Sequence, residues 1–85
     1  MIAERLDYAR NEVRQKTKAQ IDTETAAIWG ARAVACFEIY KGSGSLDWLR
    51  LAIEYTHEAI EHAASGVPGA LDRVQAELAA SGVPY

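Results

Sequence analysis

The sequence is poor in the residues that cross-link a chain or end a helix. Cys36 is the only cysteine among the 85 residues, and the two prolines stand at positions 68 and 84. A single cysteine excludes an intramolecular disulfide and a zinc site built from cysteines. Because no proline or glycine precedes Gly30, nothing in the first third of the chain forces a helix to end.

The sequence also lacks a long apolar run. The longest stretch with few charges covers residues 25–37 and is interrupted by Arg32, whereas a membrane-spanning helix needs about 20 apolar residues. The N-terminus carries charges at positions 4, 5, 7 and 10 and has no signal-like apolar core. We therefore expect no contact with a membrane and a cytoplasmic location.

The size of the chain favours one small domain without a deep pocket. The chain has 12 acidic and 9 basic residues, for a net charge of -3. Chains this small bury only about 60% of their unfolded surface, which disfavours an enclosed catalytic site. No Ser/His/acid set is found, and residues 42–45 lack the lysine of a phosphate-binding loop. We expect residues 1–85 to form a single helical domain with no enzymatic activity and no cofactor.

The composition and pattern predict an all-α fold. Alanine, leucine, glutamate, arginine and glutamine dominate, and no two-residue period is present. We expect a small bundle of three to four helices, at about 2–20, 23–41, 46–64 and 69–80. Residues 22–25 are able to cap the second helix, but no glycine or proline forces a break there. One long helix over the first two ranges is therefore the alternative.

The hexapeptide Ala-Ala-Ser-Gly-Val-Pro occurs twice, at residues 63–68 and 79–84. Its content is typical of a helix end, because glycine adopts the left-handed conformation, valine folds back onto the last turn and proline prevents continuation. At the other end of the third helix, we expect the side chain of Ser45 to cap the free amides.

The first two helices differ in how their apolar residues are distributed. Ile2, Leu6, Ala9 and Val13 form a narrow stripe with the spacing of a coiled-coil contact, which predicts a homodimer through the first helix. The second helix is apolar on nearly every side, as is normal for a central helix. Arg32 lies within its bulky face and should either extend to water or meet a carboxylate; the alternative is a contact with a partner or ligand.

The third helix has a buried face, a polar arc and a second apolar strip. We expect the buried face to contain Leu49, Ala52, Ile53, Thr56, Ile60 and Ala63. The polar arc carries Asp47, Arg50, Glu54, His57, Glu58 and Glu61. The strip, formed by Trp48, Leu51 and Tyr55, is wider than one helix contact needs. An exposed strip of this kind is typical of a surface that anchors a protein partner.

A basic flank on the first helix has three interpretations. Arg10, Arg14 and Lys18 repeat at four-residue spacing, and residues 1–20 carry five basic and three acidic groups. The flank is either solvated, or paired with the acidic arc of a second subunit, or bound to nucleic-acid phosphates. The acidic charge of the whole chain makes nucleic-acid binding the weakest of the three.

One short spacing raises metal binding as an alternative. Glu54 and His57 match the Glu-x-x-His spacing of ferritin-like di-iron helices. Such sites need more inward-facing glutamates, and ion pairs between neighbouring turns explain the same residues more simply. We therefore assign no metal site. If a metal did bind, Glu54 and His57 would be the candidate ligands.

Taken together, these patterns predict a non-enzymatic protein–protein interaction module that self-associates, acting as an adaptor, inhibitor, assembly factor or regulatory factor. The expected partner is another protein. The residues expected to contact it are Arg10, Arg14, Lys18, Arg32, Trp48, Leu51 and Tyr55.

Overall fold

The computed structural model describes residues 16–84, which contain three helices and no strand. The helices are α1 (Lys18–Ser43), α2 (Leu46–Ala64) and α3 (Ala70–Ser81). The all-α class is confirmed. None of these three helices combines the length and the apolar content that crossing a bilayer requires. The part of the predicted helix 2–20 that precedes residue 16 lies outside the described residues.

Helix α1 begins five residues earlier than the sequence analysis predicts. Thr17 has extended backbone angles and its hydroxyl accepts the amide of Gln20, while the Gln20 side chain accepts the Thr17 amide. This reciprocal capping box satisfies two amides that no helical carbonyl reaches. The expected break at residues 22–25 is therefore wrong. The alternative of one continuous helix is wrong as well, because Lys16 and Thr17 are not helical.

Helices α2 and α3 agree closely with their predicted ranges. The bounds of α2 are those predicted, and α3 is shifted by one residue from 69–80. The expected cap by Ser45 is wrong, because its side chain makes no capping hydrogen bond. Instead, its backbone carbonyl accepts the amides of Trp48 and Leu49 at the start of α2.

The two copies of the hexapeptide end their helices in different ways. After α3, Gly82 is left-handed with φ of 76° and Val83 is buried, as predicted. After α2, Gly66 is not left-handed, and the positive φ falls on Gly69 instead. Gly66 is needed for space, because a Cβ there would lie 2.5 Å from the hydroxyl oxygen of Thr23. The same hydroxyl accepts the amide of Val67 at 2.9 Å and so joins the turn to α1.

Helices α1 and α2 form an antiparallel pair whose contact is lined mainly by alanine. Asp22 near the start of α1 contacts His62 near the end of α2, and Trp29 stacks on Tyr55 further along. The fully or nearly fully buried residues between the helices include Ala26, Ala33, Ala52, Thr56, Ala59 and Ala63. The predicted buried face of α2 is thus correct at Ala52, Thr56 and Ala63, whereas Leu49, Ile53 and Ile60 are only half-buried.

Helix α3 packs against one side of this pair. Its buried residues are Ala70, Val74 and Leu78, and Gly82 at its end lies beside Phe37 of α1. The helix that is apolar on nearly every side packs against both other described helices, but residues 16–84 do not cover its remaining face. The outer face of α1 is exposed, with Ile21, Ile28 and Ile39 at 50%, 55% and 44% exposure.

Candidate functional site

The side of the helix pair opposite α3 carries a concave surface built on two aromatic rings. Trp29 of α1 and Tyr55 of α2 stack with ring centroids 5.2 Å apart and planes tilted by 36°. Both side chains are half-buried and pack against the core. Because each ring is fixed by a rigid helix, the pair forms a preorganised apolar floor.

Carboxylates line the α2 side of this floor. The open cavity has a volume of about 640 Å³ and is lined by the two rings together with Glu54, His57, Glu58 and Glu61 of α2. Positions 54, 58 and 61 recur every three or four residues, so they share one face of α2. We call the two rings and these four polar residues the aromatic groove. Its combination of apolar floor and acidic rim suits a ligand with both apolar and cationic groups.

Arg32 extends the groove along α1. Its guanidinium lies over the Trp29 ring, 5.0 Å from the ring centroid. The residue is exposed, so the stem runs along the helix surface and the charge stays in contact with water. The indole therefore contacts both a cation and a second aromatic ring.

A network of charged side chains connects α1 and α2 at the end of the helix pair next to the groove. Asp22 is 8% exposed, and its two carboxylate oxygens contact Lys18 Nζ at 2.6 Å and His62 Nδ1 at 3.0 Å. The hydrogen bond from Lys18 and the contact with His62 hold the pKa of the Asp22 carboxyl below its usual value of 3.8. His62 Nε2 also lies 3.8 Å from Glu58, which connects the network to the groove rim.

The structure brings four of the predicted partner-binding residues to this side of the molecule. Arg32 and Tyr55 both contact Trp29, and Leu51 is half-buried one turn before Tyr55. Trp48 lies on the same flank of α2 and is 37% exposed. Lys18, in contrast, contacts Asp22 at the helix-pair end. Arg10 and Arg14 lie outside the described residues.

Glu54 and His57 lie on the exposed arc of α2. Within residues 16–84, no group of three or more His, Cys, Asp or Glu side chains converges as a metal ion requires. Cys36 is buried and unbridged, in contact with the core rather than the groove.

The sequence analysis did not count Trp29 among the partner-binding residues, and it placed Glu58 and Glu61 only in the polar arc of α2 around His57. Trp29 belongs to a helix that is apolar on nearly every side, so its spacing does not reveal which neighbours cover it. Glu58 and Glu61 share the polar arc of α2 with Glu54. The signal in the sequence that could have indicated the groove is that this acidic arc lies next to the strip of Trp48, Leu51 and Tyr55 on the same helix.

Comparisons with models of known protein families, with curated proteins and with solved structures gave no match for this chain.

Proposed function

We propose that this protein is a non-enzymatic protein–protein interaction module whose aromatic groove binds a basic, amphipathic segment of a partner protein. The observation that carries the proposal is the Trp29–Tyr55 pair at the floor of an open cavity with glutamates on its rim. Tryptophan and tyrosine are enriched among residues that dominate binding energy, especially where their position is fixed before binding.

The charges of the groove favour a cationic partner. Glu54, Glu58 and Glu61 are exposed, and Arg32 is the one basic residue described beside the rings. A partner helix with leucines on one face and lysines or arginines on its flanks would place apolar groups on the rings and ammonium groups among the carboxylates. Rim charges of this kind act mainly on the association rate and on the choice of partner.

A designed peptide pair tests this proposal. The probe is a fluorescein-labelled amphipathic helix with leucines on one face and lysines elsewhere, and its control replaces every lysine by glutamate. We expect the lysine peptide to bind, measured by fluorescence anisotropy, and the glutamate peptide to bind at least about tenfold more weakly because rim carboxylates repel it.

Variants of the groove locate the binding site. Tyr55→Ala should weaken binding of the lysine peptide by at least about tenfold, as expected for an anchoring aromatic. Glu58→Lys should weaken it and reduce its salt dependence. The matched control is Glu77→Lys, an exposed charge reversal on α3, which should leave affinity within about twofold. Equal affinity for the two peptides, or equal losses in Glu58→Lys and Glu77→Lys, would refute the groove as the binding site.

A further inference from the structure

The charges of the aromatic groove are separated along its length. Asp22 contacts His62 and Trp29 stacks on Tyr55, so seven residues forward on α1 correspond to seven residues backward on α2. By the same correspondence, Arg32 is level with position 52 of α2, on the side of the rings where α2 begins. The guanidinium of the groove therefore lies at this end.

The carboxylates of the groove lie toward the other end. Glu58 and Glu61 follow Tyr55 on α2, so they are level with the part of α1 that precedes Trp29. At 1.5 Å per residue, the level of Arg32 and the level of Glu61 are about 14 Å apart along the helix axis. A ligand that covers the two rings therefore meets a cation at one end and carboxylates at the other.

A second arginine adds to the cationic end. Arg50 is exposed on the polar arc of α2, one turn before Glu54, and its level along the axis is about 3 Å from that of Arg32. None of the ion pairs within residues 16–84 uses either arginine. Asp47, an acidic residue nearer the start of α2, lies in the first turn of that helix, where it offsets the free amides.

From this separation of charge we infer that the partner segment carries acidic as well as basic residues and binds as a helix parallel to α1. The inference rests on the proposed function, because it gives the charge order of the segment proposed there. Basic residues stand in the N-terminal half of the segment, beside Glu58 and Glu61, and acidic residues in its C-terminal half, beside Arg32. The direction follows from the helix dipole, whose positive N-terminal end is favourable next to carboxylates and whose negative C-terminal end is favourable next to cations.

Arg32 is able to bind a carboxylate while it remains on Trp29. Its guanidinium lies over the indole, 5.0 Å from the ring centroid, and the residue is exposed. A guanidinium that stacks on a ring keeps its N–H groups at its edge, where a carboxylate accepts two of them. The contact with the indole therefore holds the guanidinium in place for a partner's carboxylate.

One variant and two peptides test the charge order. The first peptide is the lysine peptide described above. The second, the lysine–glutamate peptide, has the same leucine face, with lysines in its N-terminal half and glutamates in its C-terminal half. Arg32→Glu should tighten binding of the lysine peptide by at least about threefold, because it removes a repelling cation, and should weaken binding of the lysine–glutamate peptide by at least about threefold. The matched control Arg73→Glu, on an exposed arginine of α3, should leave both affinities within about twofold.

The outcomes separate the inference from the proposed function. Changes of opposite sign for the two peptides in Arg32→Glu support the charge order, and a variant that had lost its fold would weaken both. Changes of the same sign, no change, or a lysine–glutamate peptide that does not bind the wild type would overturn the inference, while binding of the lysine peptide would leave the proposed function standing. Failure of the wild type to bind either peptide would refute both.

The two tryptophans test the direction of the bound helix. Trp29 lies on the floor of the groove and Trp48 lies near its Arg32 end, and the chain has no other tryptophan, so the proton NMR spectrum contains two indole N–H signals, which Trp48→Phe assigns. The lysine–glutamate peptide, with about 14 residues, spans about 21 Å as a helix. A nitroxide at its C-terminus should broaden the signal of Trp48 more than that of Trp29, and a nitroxide at its N-terminus should do the reverse. The opposite pattern, or the same pattern from both labels, would overturn the parallel direction.

Discussion

At the scale of single residues, the contact between α1 and α2 contains one polar group that works against stability. Thr56 is completely buried, and its hydroxyl has no hydrogen-bond partner among the described residues. A buried hydroxyl without a partner loses its hydrogen bonds to water and receives nothing in exchange. Its methyl group, by contrast, packs favourably in the alanine-lined contact.

Thr56→Val should therefore stabilise the protein, by about 1 kcal/mol, because it keeps the shape and removes the hydroxyl. The matched control is Thr23→Val, since the Thr23 hydroxyl donates to the Ala19 carbonyl and accepts the Val67 amide. That variant should lose about 1–2 kcal/mol. Urea unfolding followed by circular dichroism measures both, and the same sign in the two variants would contradict this explanation.

The carboxyl of Asp22 makes stability depend on pH. Lys18 and then His62 lower its pKa in the folded protein, so the unfolded chain binds a proton more readily than the folded chain. Its contribution is therefore present above the unfolded pKa near 4 and is lost as pH falls through the lower folded pKa.

Asp22→Asn should lower the urea midpoint at pH 7 and should flatten its decline between pH 4 and pH 2, because no carboxyl remains to be protonated. Measuring the midpoint across pH 2–7 in both proteins checks this expectation. A variant whose decline below pH 4 is as steep as that of the wild type would show that other carboxyls cause it.

At the scale of elements, two glycines in this chain do opposite things. A Cβ on Gly66 would lie 2.5 Å from the Thr23 hydroxyl and 3.1 Å from the Cβ of Ala70, whereas a Cβ on Gly30 would meet no described atom within 4 Å. Gly66 therefore lets the turn after α2 pack closely against Thr23 of α1. Gly30 lowers the helix propensity of α1, and no described neighbour requires a glycine there.

Gly66→Ala should destabilise the protein by about 1–3 kcal/mol, the usual effect of forcing an extra methyl into a tight contact. Gly30→Ala should stabilise it by about 1 kcal/mol through helix propensity. Thermal unfolding of the two variants beside the wild type is the measurement. If Gly66→Ala melted at or above the wild-type temperature, the Thr23 contact would not limit the turn.

The elements were predictable where the chain marks both ends of a helix. Helix α2 lies between a Gly-Ser-Gly turn and a Ser-Gly-Val-Pro stop, and both of its bounds were predicted. The start of α1 was not, because Thr17 and Gln20 stand in a polar run and their capping box is one of several possible pairs. Identical hexapeptides ended α2 and α3 differently, because the contact of Gly66 with Thr23 depends on tertiary packing.

At the scale of the whole molecule, the candidate site could be predicted only in part. The strip with Tyr55 and the polar arc were visible in α2, since the helix has a clear apolar and a clear polar side. Trp29 and the exposed isoleucines of α1 were not, because α1 is apolar on nearly every side and its spacing does not tell which side α3 covers. Which side of α1 becomes buried depends on packing against helices that are distant in the sequence, and the local spacing carries no information about it.

The alanine-lined contact between α1 and α2 has a consequence for how this protein responds to temperature. Unfolding raises the heat capacity in proportion to the apolar area that it exposes. Alanine contributes little area, and six of the ten buried apolar residues within positions 16–84 are alanines. We therefore expect residues 16–84 to contribute a small heat-capacity change of unfolding for their number, which gives a shallow stability curve. A curve with little curvature means that stability falls slowly on either side of its maximum.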